Sequence, residues 1–160
     1  MKKLLFLLLP LLFFVSCGKQ AEQTGTCFVS VLCDTAISSP DCDPAVREIL
    51  PADGVILAET EISVFDNDSV FDVLSRACRE QKIPLEHSKT PLTNAVYIEG
   101  ISNLYEFDCG PTSGWMFSLN GDFPPCSCSD VTVKPGDTVV IRYSCSLGHD
   151  IGGDYASQKD

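Results

Sequence analysis

The residues best equipped for chemistry in this chain are cysteines, at 27, 33, 42, 78, 109, 126, 128 and 145, with a ninth at 17. Thiols bridge, bind metal or attack as nucleophiles, and spacing helps separate these uses. No Cys-x-x-Cys pair occurs, and Cys126-Ser127-Cys128 is too tight for the common zinc sites. An even number of cysteines in an exported chain implies a disulfide framework instead. Cys27, Cys33, Cys42, Cys78, Cys109, Cys126, Cys128 and Cys145 are therefore expected as structural bridges, and no metal site is expected. Asp66, Asp68 and Asp72 suggest calcium at first sight, but the glycine and glutamate an EF-hand loop needs are missing. Helix capping and a solvated acidic face account for them more simply. Of the two histidines, His87 adjoins Glu86, yet neighbours on a strand point to opposite faces. His149 lies beside a polar tail and reads more readily as solvated than as a ligand. With no G-x-S-x-G elbow, no phosphate loop and no uncommitted thiol, catalysis is not expected.

Export is written at the N-terminus. Lys2 and Lys3 precede an apolar stretch from Leu4 to Val15, too short to span a bilayer comfortably and suited to a secretory signal. It ends in Val15-Ser16-Cys17-Gly18, which resembles the lipobox of bacterial lipoproteins, where the cysteine is acylated and becomes the new N-terminus. The expected organisation is a signal at 1–16, a lipidated Cys17 and tether over 17–25, a domain over 26–150, and a tail over 151–160. Its expected place is lipid-anchored on the outer side of a bacterial membrane. The 160 residues carry 22 acidic against 11 basic side chains, a net charge of −11. A polyanionic nucleic-acid backbone repels such a surface, which excludes general nucleic-acid binding.

The elements that must position these groups follow from periodicity. Residues 26–33 alternate as a strand, with Cys27, Val29, Val31 and Cys33 on one face. A long connection over 34–54 holds one helical segment, capped by Asp43 and started by Pro44. A second strand is expected over 55–65. Val70, Val73, Leu74, Ala77 and Cys78 form one apolar stripe, which predicts a helix from Ser69 to about Gln81 with Ser69 and Asp72 as a capping box. Short strands are expected at 84–87, 95–99, 115–119 and 138–143, with turns at Asn120-Gly121 and Pro135-Gly136. One helix across a mixed sheet is an α+β fold of the β-grasp kind, disulfide-stabilised, with first and last strands parallel neighbours. That arrangement suggests Cys33–Cys145 as a first bridge, while Cys109 and Cys128 flank the 114–121 hairpin.

The helix DSVFDVLSRACRE, the segment AVYIEGISNLYEF, the stretch SGWMFSLNGDFPP and the tail SDVTVKPGDTVVIRYS occur in that order between Asp68 and Ser144. Together they resemble the C-terminal β-domain of the transcobalamin and intrinsic-factor proteins, and the bacterial surface lipoproteins with a transcobalamin-like C-terminal domain. The resemblance implies a binding module rather than a catalyst, with cobalamin or another corrinoid as the candidate ligand. In the vitamin carriers this domain closes over cobalamin held against a large helical barrel, and the 160 residues here contain no counterpart of it. By position, the resemblance implies ligand contacts from Trp115 and from the hairpin residues Asn120, Gly121, Asp122 and Phe123. Tyr97, Asn103 and Tyr105 follow on the preceding strand and loop. The implied partners are the membrane, through Cys17, and a transporter or another surface protein.

Each of these residues also has a plainer reading. Trp115 shares a face with Phe117 and Leu119 and fits a core as well as a stacking platform. Phe123-Pro124-Pro125 is either a stiff contact edge or a loop folded back on the sheet. A module that contacts protein or polysaccharide, with no small ligand, is the alternative to the corrinoid reading.

Overall fold

In the computed structural model of the protein, residues 22–153 are described. The expected signal, the lipidation site at Cys17, the start of the tether and most of the tail lie outside the described residues. Strand β1 (Gln23–Leu32) alternates as its sequence predicts, with Cys27, Val29 and Val31 fully buried, and it starts three residues earlier than expected. β2 (Val55–Phe65) pairs with it antiparallel, matching Cys27 to Ile62. The last strand, β7 (Thr138–Ser144), lies on the other side of β1 and runs parallel to it, with Val29 opposite Val139 and Val31 opposite Ile141. β6 (Gly114–Leu119) completes the sheet antiparallel to β7, so the order is β2-β1-β7-β6. First and last strands are thus parallel neighbours at the centre of a mixed sheet.

Helix α3 (Val70–Gln81) buries the stripe of Val70, Val73, Leu74, Ala77 and Cys78. Its N-terminus carries the anticipated capping box. The Asp72 amide donates to Ser69 Oγ at 3.2 Å, and the Ser69 amide donates to the Asp72 carboxylate at 2.8 Å. Asp68 is not part of a solvated acidic face. It is 9% exposed and receives a bidentate pair from Arg76, at 2.8 and 3.1 Å, together with the Phe65 amide at 2.8 Å. Arg76 also lies over the Phe65 ring, 4.7 Å from its centroid, and donates to the Ser63 carbonyl. One buried ion pair therefore fastens the helix to β2.

Three features depart from the expectation. A second, antiparallel sheet stands beside the first, made of β3 (Leu85–Lys89), β4 (Val96–Ile101) and β5 (Leu104–Tyr105). β4 turns into β5 through Ser102 and Asn103, both at positive φ, as tight hairpin turns require. Gly100 admits the Tyr105 ring so closely that a Cβ there would stand 2.6 Å from it. Secondly, the Asn120-Gly121 turn forms, with φ of 53° and 90°, but no paired strand follows it, and β6 takes β7 as its partner. Pro124 and Pro125 lack the amide hydrogens a returning strand would donate. The connection over 34–54 holds two helices, α1 (Asp34–Ser38) and α2 (Pro44–Ile49), where one was expected. Asp43 caps α2 as anticipated, accepting from the Ala45 amide at 2.8 Å.

The expected disulfide framework is not formed in this structure, where all eight described cysteines are free thiols. Neither suggested pair is bonded. The β1–β7 ladder ends at Leu32 opposite Arg142, which leaves Cys33 one residue beyond the last pair and Cys145 three. Cys109 and Cys128 belong to separate hydrophobic clusters. The larger cluster, between sheet and helix, holds Cys27, Cys78 and Cys128, and the smaller holds Cys33, Cys42 and Cys109 with Cys145 at its edge.

Candidate functional site

Where β6 begins, Trp115 stands at the junction of the two sheets. Its indole N–H donates to the carbonyl of Leu104 in β5 at 2.9 Å, tying the second sheet to the first. Across the β6–β7 ladder it faces Tyr143, edge to face, with ring centroids 5.2 Å apart and planes at 77°. Tyr143 is fully buried; its hydroxyl donates to the Tyr105 carbonyl at 2.7 Å and lies 2.9 Å from Ser113 Oγ. Burial drives the Tyr143 phenol well above its ordinary pKa, so it stays protonated. This hydrogen-bonded wedge makes a rigid floor.

Above the floor lies a cleft of about 470 Å³, lined by Tyr97 from β4, by the 111–116 segment, and by Phe107, Ser144, Leu147 and His149. A smaller groove of about 180 Å³ shares Tyr97, Trp115 and Met116 with it and is also lined by Phe117 and Cys128. Tyr97, Phe107 and Leu147 are respectively 47%, 60% and 62% exposed, so half of the six large hydrophobics that face solvent among the described residues rim this one cleft. Phe107 and Leu147 also hold left-handed backbone, with φ of 70° and 49°. Bulky side chains avoid that region at a cost of about 1–3 kcal/mol. Strain is thus spent on holding two apolar side chains in water at the mouth of a cleft.

Several polar groups of the cleft already have partners. Thr112 donates to the Cys145 carbonyl at 2.9 Å, and Ser113 donates to the Gly110 carbonyl at 2.8 Å. Ser144 donates to Asp150 at 2.5 Å and accepts from the amides of Ser146 and Gly148. The Tyr97 hydroxyl donates to Glu106; burial first, and then that carboxylate, push its pKa up to about 12. The cleft therefore presents chiefly carbon surface, with the His149 imidazole at one side. Among the described residues, no group of three His, Cys, Asp or Glu side chains is placed to hold a metal ion.

Of the residues read from the sequence as ligand contacts, the structure brings Trp115 and Tyr97 together in this cleft. Asn120, Gly121, Asp122, Phe123, Asn103 and Tyr105 stand outside its lining. Asn120 secures the start of β7, donating to Asp137 and accepting from the Thr138 amide, each at 2.9 Å. Asn103 serves the β4–β5 turn, and the Tyr105 hydroxyl donates to Glu86 at 2.5 Å. Phe123 lies against the 148–153 turn, where a Cβ on Gly153 would meet its ring at 3.1 Å. Phe107 and Leu147 escaped sequence reasoning. Their one signal is an apolar residue inside a polar, glycine-containing loop, which says nothing about direction.

A family model described as a domain of unknown function (DUF4430) matches residues 67–145, slightly under half of the chain and inclusive of most of the cleft. A comparison with curated proteins finds no match. Among solved structures, haptocorrin in complex with Cbi is similar, with a TM-score of 0.52 and 14% identity. The likeness is one of fold. It covers 83% of this chain and 28% of the haptocorrin chain, so this chain spans little more than a quarter of that protein. A Ruminococcus gnavus protein whose given name suggests metal binding aligns over 75% of this chain and 96% of its own, at 11% identity and a TM-score of 0.44. The transcobalamin-like resemblance drawn from the sequence is thus matched, distantly, by the architecture.

Proposed function

We propose that this chain is a ligand-binding module whose cleft takes a flat, largely apolar small molecule of the corrinoid class. The observation that carries this reading is the rim itself: Tyr97, Phe107 and Leu147 exposed around Trp115, two of them on strained backbone. Exposed apolar surface gathered at one concave site favours binding over chance, since scattered exposure would need no explanation. The fold likeness to haptocorrin, which holds Cbi (cobinamide, a corrinoid) in its structure, supports the choice of ligand class. A cleft of about 470 Å³ covers only part of a large macrocycle, leaving the remainder for a second protein, such as a transporter. The parallel β1–β7 pair at the sheet centre supports a β-grasp-like reading of the domain.

The same proposal places the module outside the cell, held to a bacterial membrane by a lipid on Cys17. The lipobox-like Val15-Ser16-Cys17-Gly18 supports it. Radiolabelled palmitate incorporation that disappears in Cys17→Ala is the expected result; label retained in the variant overturns the anchor. The module acts as a binder, not a catalyst, which fits hydroxyls already committed to carboxylate and carbonyl acceptors.

The test uses the single tryptophan. Cobinamide is titrated into the purified full chain while Trp115 fluorescence is followed, with free tryptophan as the control for light absorption by the ligand. Saturable quenching beyond that control, with a matching heat by calorimetry and loss in Leu147→Asp, is expected. Quenching identical to the control, with no heat, overturns the corrinoid reading.

A further inference from the structure

The smaller hydrophobic cluster gathers four cysteines, Cys33, Cys42, Cys109 and Cys145, from distant parts of the chain. Cys109, in the loop between β5 and β6, is buried in the cluster that also holds Cys33 and Cys42, and Cys145 packs against the edge of that cluster. Backbone bonds hold the loop from both sides. The Asp43 amide donates to the Asp108 carbonyl at 3.3 Å, next to Cys42. On the opposite side, Thr112 Oγ1 donates to the Cys145 carbonyl at 2.9 Å, and the Leu147 amide donates to the Thr112 carbonyl at 3.1 Å. Cys42 lies 2% exposed, whereas Cys145 is half-buried and opens onto a polar groove of about 620 Å³ that Thr35, Ser39 and Arg142 also line.

We propose that Cys42, Cys109 and Cys145 form a thiol–disulfide exchange site in which Cys109 bonds Cys145 or Cys42 in turn. The loop that carries Cys109 is bonded to the Cys42 side through Asp43 and Asp108 and to the Cys145 side through Thr112, so Cys109 is the partner common to both, and three thiols leave one over. Entry is through Cys145, the accessible member. Its thiolate attacks one sulfur of an external disulfide, a glutathione-type molecule or an oxidoreductase, and expels the first thiolate. Cys109, deprotonated, then attacks Cys145 Sγ of the mixed disulfide and expels nothing from the protein but the second external thiolate. Two protein thiols are oxidised and one external disulfide is reduced to two thiols. Exchange within the site needs no further oxidant. The Cys42 thiolate attacks Cys109 Sγ, the Cys109–Cys145 bond breaks, and Cys145 leaves as a thiolate that takes up a proton.

Burial raises the thiol pKa of Cys109 and of Cys145, while hydroxyls from Ser39 and Thr35 oppose the rise at Cys145. The half-buried position of Cys145, against 2% exposure for both Cys42 and Cys109, suits it as the entry point. The consequence reaches the cleft, because Cys109 sits two residues from Phe107 and its amide donates to Ser113 Oγ at 3.1 Å. A Cys109–Cys145 bond ties the Phe107 loop to the Leu147 turn, joining both strained sides of the rim. A Cys42–Cys109 bond draws the same loop toward α2 and leaves the Leu147 turn untied.

The test is disulfide mapping by mass spectrometry. The full chain is first reduced, then equilibrated in a glutathione redox buffer, alkylated and digested without reduction. The expected wild-type result is Cys109 linked to Cys145, to Cys42, or to both in separate peptides. Cys42→Ser should trap the Cys109–Cys145 link and Cys145→Ser the Cys42–Cys109 link. Recovery of Cys109 as an alkylated free thiol, or linked to Cys33 or any other cysteine in the wild type, overturns the proposal. Because that reading needs no variant, poor folding of either serine form leaves the outcome decidable. Trp115 fluorescence supplies a second readout, expected to differ between the two trapped forms, and identical spectra overturn the coupling to the cleft.

Discussion

The Trp115 indole meets the Tyr143 ring edge to face at 5.2 Å, while each side chain hydrogen-bonds a carbonyl of β5. Two residues paired in one sheet thus carry the neighbouring sheet on their polar tips. Tyr143→Phe keeps the ring and deletes the hydroxyl, leaving the Tyr105 carbonyl without that donor. A loss of about 1–3 kcal/mol is expected by urea unfolding followed at Trp115. A variant as stable as the wild type would mean that the β5 contact is not a fastening.

Phe107 gives a test in which stability and binding move oppositely. Asparagine tolerates left-handed backbone better than phenylalanine. Phe107→Asn should therefore raise unfolding free energy by up to about 1 kcal/mol, a fraction of the usual cost of such strain. Cobinamide affinity should fall at the same time. A core-type destabilisation would instead show that Phe107 is a packing residue.

The Asp68–Arg76 pair calls for a double substitution. Asp68→Leu alone strands a mostly buried guanidinium and should cost about 3–5 kcal/mol. Adding Arg76→Met should return much of that loss, because two apolar side chains leave no uncompensated charge. If the double variant is no better than the single one, the Phe65 amide bond and the cation–ring contact matter more than the charge.

Asn120 separates the hairpin tip from the cleft. Asn120→Ala removes two hydrogen bonds to the start of β7 and places alanine at φ 53°, so a loss of about 1–2 kcal/mol is expected. Cobinamide affinity should not change in protein that remains folded. A tenfold weaker affinity would return the hairpin to the ligand site.

Acid stability should register Asp34. Its hydrogen bonds and ion pair with Arg142 hold the carboxyl below the ordinary carboxylate range, against a smaller opposing effect of burial. A folded-state pKa below the unfolded one means the contribution is present above about pH 4, the ordinary aspartate value, and is lost as pH falls through the folded pKa. Asp34→Asn should flatten the stability–pH curve in that acidic window, and an unchanged slope would remove the pair from the account.

What could be read in the one-dimensional chain was whatever neighbours in sequence decide. The apolar stripe and Ser69-Asp72 box specify α3, Asp43-Pro44 starts α2, and the alternation of 27, 29 and 31 sets which face of β1 is buried. Even the parallel pairing of first and last strands followed, because one helix crossing a mixed sheet leaves few connections to choose among. Trp115 and Tyr97 were named by position through the family resemblance, and the structure sets both in the lining of the cleft.

Long-range closure decided the rest. The β4–β5 turn at Ser102-Asn103 has little local signature, yet it creates the second sheet and therefore the wall of the cleft. Phe107 and Leu147 become a rim only because loops forty residues apart are drawn to one place, with Thr112 bonded to Cys145 and Leu147. Seven of the eight described cysteines divide into two clusters for the same reason, since which thiols meet depends on strand order and register rather than on spacing. Local propensity acts over a few residues, whereas a binding cleft and a thiol cluster are made from segments whose proximity exists only after the two sheets have packed.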